Sequence, residues 1–74
     1  MISFVNQTDA TLIYLDSKGI DELIDYLNYL KEKDERHYDL VVGNELEELP
    51  KEIMPEGGYT NVTYVSLINL FDLE

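Results

Sequence analysis

Residues 17–33 read SKGIDELIDYLNYLKEK, and this stretch decides the fold. Its apolar side chains recur every three or four residues, which is the period of an amphipathic helix: Ile20, Leu23, Ile24, Leu27 and Leu30. At about 100° per residue they fall within an arc of roughly 100°, wide enough to cover a sheet. Either Asp16 or Ser17 can cap the first turn with a side-chain oxygen. We therefore predict a helix from Ser17 to Lys33 that buries this face.

Strand-like runs flank the helix on both sides. Residues 2–5 (ISFV) and 11–15 (TLIYL) are rich in β-branched and aromatic residues, and a polar, turn-prone connection joins them. After the helix, residues 38–43 (YDLVVG) predict a third strand and residues 61–71 (NVTYVSLINLF) a fourth. The order β-β-α-β-β predicts a single α+β domain over residues 1–74, with one amphipathic helix packed on a mostly antiparallel four-stranded sheet.

The stretch between the last two predicted strands is the least regular part of the chain. Pro50 and Pro55 prevent a long helix, and Gly57–Gly58 mark a tight turn, although a short helical turn over residues 45–49 is compatible with the sequence. Five acidic residues lie here against the single base Lys51: Glu45, Glu47, Glu48, Glu52 and Glu56.

Net charge is the strongest compositional signal. Sixteen acidic residues against five basic ones give a charge of −11 in 74 residues. Such a surface repels nucleic acid backbones and anionic membranes. The charge also exceeds the magnitude of roughly 2–8 that keeps a small domain soluble. We therefore expect it to serve the binding of a basic partner.

Other absences restrict the class of protein. There is no Cys, which suits a reducing compartment. No basic segment followed by an apolar run opens the chain, and no apolar stretch approaches the ~20 residues that span a bilayer. We expect a cytoplasmic protein.

Catalytic and metal-binding patterns are also missing from the sequence. His37 is the only His, and neither a nucleophile elbow nor a phosphate-binding glycine loop is present. Adjacent carboxylates diverge on a helix, and the calcium-loop pattern does not occur. We expect no enzyme activity, no cofactor and no dedicated metal site, and we interpret His37 as part of a charged connector.

Tyrosine is over-represented, with six residues and no Trp. Three of them lie in predicted strands, where we expect core or half-buried positions: Tyr14, Tyr38 and Tyr64. Tyr26 lies at the edge of the apolar face of the helix. Tyr29 projects about 160° from the centre of that face and has Asp25 and Glu32 as neighbours, an arrangement typical of an interface anchor. Tyr59 follows the Gly pair and is a second candidate.

Two alternative partner-binding surfaces follow from this pattern. The first is the acidic helix face, formed by Glu22, Asp25, Tyr29 and Glu32. The second is the acidic segment between the last two predicted strands, which ends near Tyr59 and carries Glu45, Glu47, Glu48, Glu52 and Glu56.

Part of the chain resembles a known family. A strand, the pattern D-x-x-G-[IL]-x-x-L-[IL]-x-x-L at the start of a helix, a short connector and H-x-D-L extend over residues 11–43. This arrangement is similar to small immunity proteins of bacterial polymorphic toxin and contact-dependent inhibition systems, in particular the thirty-second immunity family. The resemblance implies a cytosolic antidote that blocks a cognate toxin, usually a nuclease or another enzyme. The acidic residues 44–56 lie outside the pattern, and the matching residues are Asp16, Gly19, Ile20, Leu23, Ile24, Leu27, His37, Asp39 and Leu40.

The charge leads to the same expectation by a separate route. A nuclease toxin needs a basic cleft to hold phosphates, and an acidic protein can occlude that cleft by mimicking the charge of the substrate. One alternative is a phage anti-CRISPR or another DNA-mimic inhibitor, which would have the same size and acidity. Another is a structural or adaptor subunit that forms a homodimer through an exposed sheet face or edge strand.

Overall fold

Helix α1 spans Ser17–Glu32 and begins at a capped turn. The computed structural model describes residues 1–42 and 46–73, apart from the side chain of Glu47. Of the two candidate caps, Asp16 is the one used: its Oδ1 accepts the backbone N–H of Gly19 at 2.7 Å. The amino group of Met1 donates to the same oxygen at 2.6 Å. Both hydrogen bonds hold the pKa of Asp16 below its ordinary value, and the bond from the amino group contributes more than the bond from Gly19.

The C-terminal end of α1 is a Schellman-type turn. Asp34 has a φ of 51°, in the left-handed region. This conformation lets the backbone N–H of Glu35 reach the carbonyl of Leu30 at 3.2 Å. Asp tolerates the left-handed region better than most residues. The turn ends the helix and directs the chain into the next strand.

Within residues 1–42 and 46–73, five strands form two antiparallel sheets, and the helix packs on them. In the larger sheet, β1 (Ile2–Asn6) lies between β2 (Thr11–Leu15) and β4 (Thr60–Val62). In the smaller sheet, β3 (His37–Val41) pairs with β5 (Tyr64–Ile68). The predicted α+β class, with one helix and antiparallel pairing, is confirmed for the described residues.

The predicted single four-stranded sheet is wrong in detail. The last predicted strand, residues 61–71, is split at Thr63 and ends at Ile68. Its first half pairs with β1 and its second half with β3. The carbonyl of Thr63 accepts the N–H of Val42 at 3.0 Å, so the two sheets meet at this residue. The sheet is divided because residues 60–68 pair first with β1 and then, after Thr63, with β3.

The main core lies between the helix and both sheets. Phe4, Leu40 and Val42 are buried at its centre. Half-buried side chains from the helix and from four strands pack around them: Ile2, Leu23, Tyr26, Tyr38, Val62, Val65 and Leu67. The helix therefore stabilises the contact between the two sheets as well as covering them.

The buried face of α1 differs from the predicted one. Gly19 and Leu30 are buried, and Leu23 and Tyr26 pack on the core. Three side chains predicted to be buried are instead exposed: Ile20 (45%), Ile24 (49%) and Leu27 (49%). With 3.6 residues per turn, the contact face is rotated by about 65° from the predicted arc.

Gly19 supplies a physical reason for this rotation. A Cβ at this position would lie 1.8 Å from the backbone oxygen of Met1 and 3.2 Å from Cγ1 of Ile2. Only glycine allows the helix to approach β1 so closely. The close contact brings the side of the helix that carries Gly19 against the sheet, and Tyr26 then stacks on Tyr38 of β3.

The other face of the larger sheet also carries buried side chains. Side chains alternate along a strand, so Ser3 and Val5 point away from Phe4 and from the helix. Both are nevertheless buried, Val5 completely. Leu46 of the acidic segment is also 0% exposed, and the carbonyl of Glu56 accepts a hydrogen bond from the Gln7 side chain, so we expect this segment to cover them. This segment forms two short 3₁₀ turns, Leu46–Glu48 and Lys51–Ile53, and the first corresponds to the helical turn predicted over residues 45–49.

The C-terminal residues return to the end of the helix. The Asn69 side-chain amide donates to the carbonyl of Leu30 at 3.0 Å, and its backbone N–H donates to the carbonyl of Arg36 at 2.8 Å. The Arg36 guanidinium pairs with Asp72 and lies 5.4 Å from the centre of the Phe71 ring. This pairing lowers the pKa of Asp72.

Candidate partner-binding surface

The acidic helix face is present on the surface of the molecule. Asp25 and Glu32 are exposed, and Tyr29 is 43% exposed between them. Glu22 is only partly exposed and lies 3.9 Å from the Lys18 ammonium, four residues earlier on the helix. An exposed pair of this kind is held weakly, so it leaves both side chains free to reorient toward a partner.

Tyr29 is positioned by the smaller sheet. Its ring meets Tyr38 edge-on, with centroids 5.7 Å apart and planes at 78°. Tyr38 in turn stacks on Tyr26 at 4.6 Å. Burial and the nearby carboxylate of Glu22 raise the pKa of Tyr26. The contact with Tyr38 restrains the Tyr29 ring, which is 43% exposed, and this restraint reduces the entropy lost when a partner covers it.

The second candidate surface is less free than the sequence suggested. Glu48, Glu52 and Glu56 are exposed, but Tyr59 is half-buried. The segment that carries them also contains the buried Leu46. Residues predicted for this surface that lie outside the described part are Glu45 and the side chain of Glu47.

The fold does not merge the two candidate surfaces into one. The helix packs on the Phe4 face of the larger sheet, whereas the acidic segment contains the buried Leu46 and is linked by the Glu56 carbonyl to the Gln7 side chain at the end of β1. Among the described residues, no hydrogen bond or ion pair joins the two groups of acids. A rigid partner with one flat surface would contact one group or the other.

A polar network on the outer face of β3 and β5 was missed at the sequence level. Oδ1 of Asp39 accepts the Ser66 hydroxyl at 2.6 Å and lies 3.4 Å from Nδ1 of His37. The hydrogen bonds from Ser66 and then Tyr64, with a smaller contribution from His37, lower the pKa of Asp39. The bond to Asp39 raises the pKa of Tyr64. The register that pairs Asp39 with Ser66 is the signal that only the structure supplies.

This network does not have the geometry of a nucleophile and its base. In a catalytic triad, the His lies between the hydroxyl and the carboxylate. Here Asp39 lies between Ser66 and His37. Tyr64, predicted to be core or half-buried, is instead 58% exposed, because it points to the outer face together with Ser66. The contacts therefore stabilise the pairing of two strands on an exposed face.

The described residues provide neither a group that could hold a metal ion nor a helix that could span a membrane. Within them, no three side chains of the metal-ligating types come together as a group that could hold an ion. None of their helices combines the length and apolar character needed to cross a lipid bilayer.

Comparison with protein-family models, with curated proteins and with solved structures finds no match to this chain.

Proposed function

We propose that this protein is an acidic immunity protein that binds a cognate bacterial toxin, a basic nuclease, and neutralises it by occluding the active cleft. The protein acts by binding and carries out no chemistry of its own. It works in the cytoplasm, where the target of a nuclease toxin lies.

The observation that carries this proposal is the charge of −11 together with its exposure on the helix. Asp25 and Glu32 are exposed on either side of Tyr29 along the helix. Aromatic anchors surrounded by charged residues are typical of interfaces between specific partners. A basic nuclease cleft has the complementary charge, and complementary fields raise association rates toward ~10⁸–10⁹ M⁻¹s⁻¹. Rapid association suits an antidote that must bind before damage accumulates.

The acidic helix face is the better of the two candidate surfaces. The acidic segment has a structural task, since its Leu46 is buried and its Glu56 carbonyl binds Gln7. The acidic helix face has no such structural role, and the ring of Tyr29 is already oriented by its contact with Tyr38. The resemblance of residues 11–43 to immunity proteins concerns the same part of the chain.

A pull-down with two charge-matched variants tests the proposal. The tagged protein is incubated with its native cytosol, and bound proteins are washed at low and at high salt. The variants are D25K/E32K on the helix and E48K/E52K on the acidic segment, which change the net charge equally. We expect the wild type and E48K/E52K to retain one basic nuclease, and D25K/E32K to lose it. We also expect high salt to release it from the wild type.

Other results would contradict the proposal in specific ways. Capture of a CRISPR effector would favour the phage inhibitor. Sedimentation of the protein alone as a stable oligomer, with no partner captured, would favour the structural subunit. Equal loss of the nuclease from both variants would mean that net charge matters and the helix face does not.

A further inference from the structure

Helix α1 carries an apolar stripe that the fold leaves uncovered. Ile20, Ile24 and Leu27 follow one another at i, i+4 and i+7, and each is about half exposed. Isolated exposed aliphatic residues are ordinary, but a continuous line of them marks an interaction site. The stripe lies beside the contact line that packs on the core and is not part of it.

The stripe continues into a groove at the C-terminal end of the helix. The groove has a volume of about 540 Å³. Its apolar lining joins the helix to the C-terminal residues through Leu27, Leu30, Ile68 and Phe71, and Lys31, Asp34 and Asn69 supply its polar lining. Stripe and groove together extend along about three turns of helix, or roughly 16 Å from Ile20 to Lys31.

Acidic side chains border this surface on the side away from the core. With 3.6 residues per turn, Asp21, Asp25 and Glu32 lie about 110° around the helix from the centre of the stripe. All three are exposed. Lys31 is the one base in line with the stripe, at its end. The surface is therefore apolar along its centre and negative along its open flank.

We infer that the stripe and groove dock a basic amphipathic helix of the partner protein. The apolar residues of that helix would cover Ile24 and Leu27, and its Lys or Arg side chains would reach Asp25 and Glu32. A short amphipathic helix presents its anchors at i, i+3, i+4 and i+7, over about two turns, and these fit within the length of the stripe and groove. A second copy of this chain fits poorly, because it would bring another charge of −11 and the same acidic flank. The inference rests on the proposed function in that the toxin would carry this helix.

A synthetic probe tests the surface without the natural partner. The probe is a fluorescein-labelled peptide of about 18 residues, with Leu at i, i+3, i+4 and i+7 and Lys elsewhere. One control peptide has the same composition in an order that does not place Leu on one face. A second control replaces every Lys by Glu. Fluorescence anisotropy with the full-length protein measures the dissociation constants.

The decisive protein variant is I24S/L27S, and the single substitution I53S is its control. Ile53 is as exposed as Ile24 but lies on the acidic segment, away from the stripe. Removing two half-exposed aliphatic side chains from the contact should weaken binding by roughly tenfold or more. We expect I53S to bind within about twofold of the wild type. Circular dichroism verifies that both variants remain folded.

Several outcomes would overturn the inference. I24S/L27S could bind as well as I53S, or the scrambled peptide could bind as well as the amphipathic one, which would leave charge as the only determinant. Sedimentation of the protein alone could reveal a dimer that I24S/L27S abolishes, which would identify a second copy as the occupant.

The pull-down separates this inference from the proposed function. If I24S/L27S still retains a nuclease that D25K/E32K loses, the immunity function stands and the docking surface is wrong. If no nuclease is captured, but the amphipathic peptide binds the wild type and binds I24S/L27S more weakly, the docking surface stands and the immunity function is wrong.

Discussion

Replacing Leu46 by Ala tests whether the acidic segment is a structural layer of the fold. Leu46 has no exposed surface, although it lies between two stretches rich in acidic residues. If it packs against the face of the larger sheet that carries Ser3 and Val5, its truncation leaves a cavity there. If the segment were a surface loop, truncation would cost little.

The expected cost is large for a protein of this size. Truncating a fully buried Leu to Ala costs about 2–5 kcal/mol, from lost transfer energy and the residual cavity. A chain of 74 residues has a total free energy of unfolding of about 4–11 kcal/mol. The variant L46A should therefore lose about half of its stability. The matched variant I53A, truncated at a position that is 52% exposed on the same segment, should lose less than about 1 kcal/mol.

Urea unfolding followed by circular dichroism measures both variants. With a slope of about 1 kcal/mol/M, typical of a small domain, L46A should unfold at a urea concentration about 2 M or more below that of the wild type. The slope itself should stay the same, because a cavity changes stability and not the surface exposed on unfolding.

One result would refute the reasoning. If the midpoints of L46A and I53A agreed, Leu46 would not be part of a packed layer, and the acidic segment would again be available as a partner-binding surface. A reduced slope for L46A would instead indicate that the segment detaches while the remainder stays folded.

Three further predictions concern backbone strain and pH. Gly19→Ala should destabilise the protein by up to about 2 kcal/mol in urea unfolding. The added Cβ would clash with the backbone oxygen of Met1 at a steric cost of about 1–3 kcal/mol, which exceeds the gain of about 1 kcal/mol in helix propensity. A more stable variant would contradict the close contact. Gly57→Ala should cost about 1–2 kcal/mol because φ is 77°, whereas Gly58→Ala, in equally open space without a positive φ, should be neutral or slightly stabilising; equal effects in thermal unfolding would be inconsistent with this difference. Ser66→Ala should raise the pKa of Asp39 toward its ordinary value of 3.8, as followed by NMR titration of the carboxyl carbon. The lowered pKa of Asp39 stabilises the folded protein at pH values above 3.8, and this stabilisation is lost as the pH falls through the lowered pKa. The Ser66→Ala variant should therefore lose less stability than the wild type on acidification. An unchanged titration of Asp39 in the variant would exclude the hydrogen bond.

The candidate site could be predicted from the sequence only in part. Exposure of Asp25, Tyr29 and Glu32 followed from helical periodicity, because the side opposite the apolar residues must face solvent. The contact between Tyr29 and Tyr38 could not be predicted, since it depends on where β3 lies relative to the helix. The Asp39–Ser66 pair likewise depends on a strand register that joins residues 27 positions apart.

The sequence by itself determined the helix, the α+β class and the acidic character of the protein. Local periodicity, a capping side chain and composition are sufficient for these features. It did not determine which side of the helix is buried. The apolar side chains between positions 17 and 33 cover so wide an arc that either of two adjacent helix faces could pack on a sheet. Only the tertiary structure decided between them: Gly19 permits close approach to β1 and Tyr26 stacks on Tyr38. That choice leaves Ile20, Ile24 and Leu27 exposed, because a single small sheet pair cannot cover both faces of one helix.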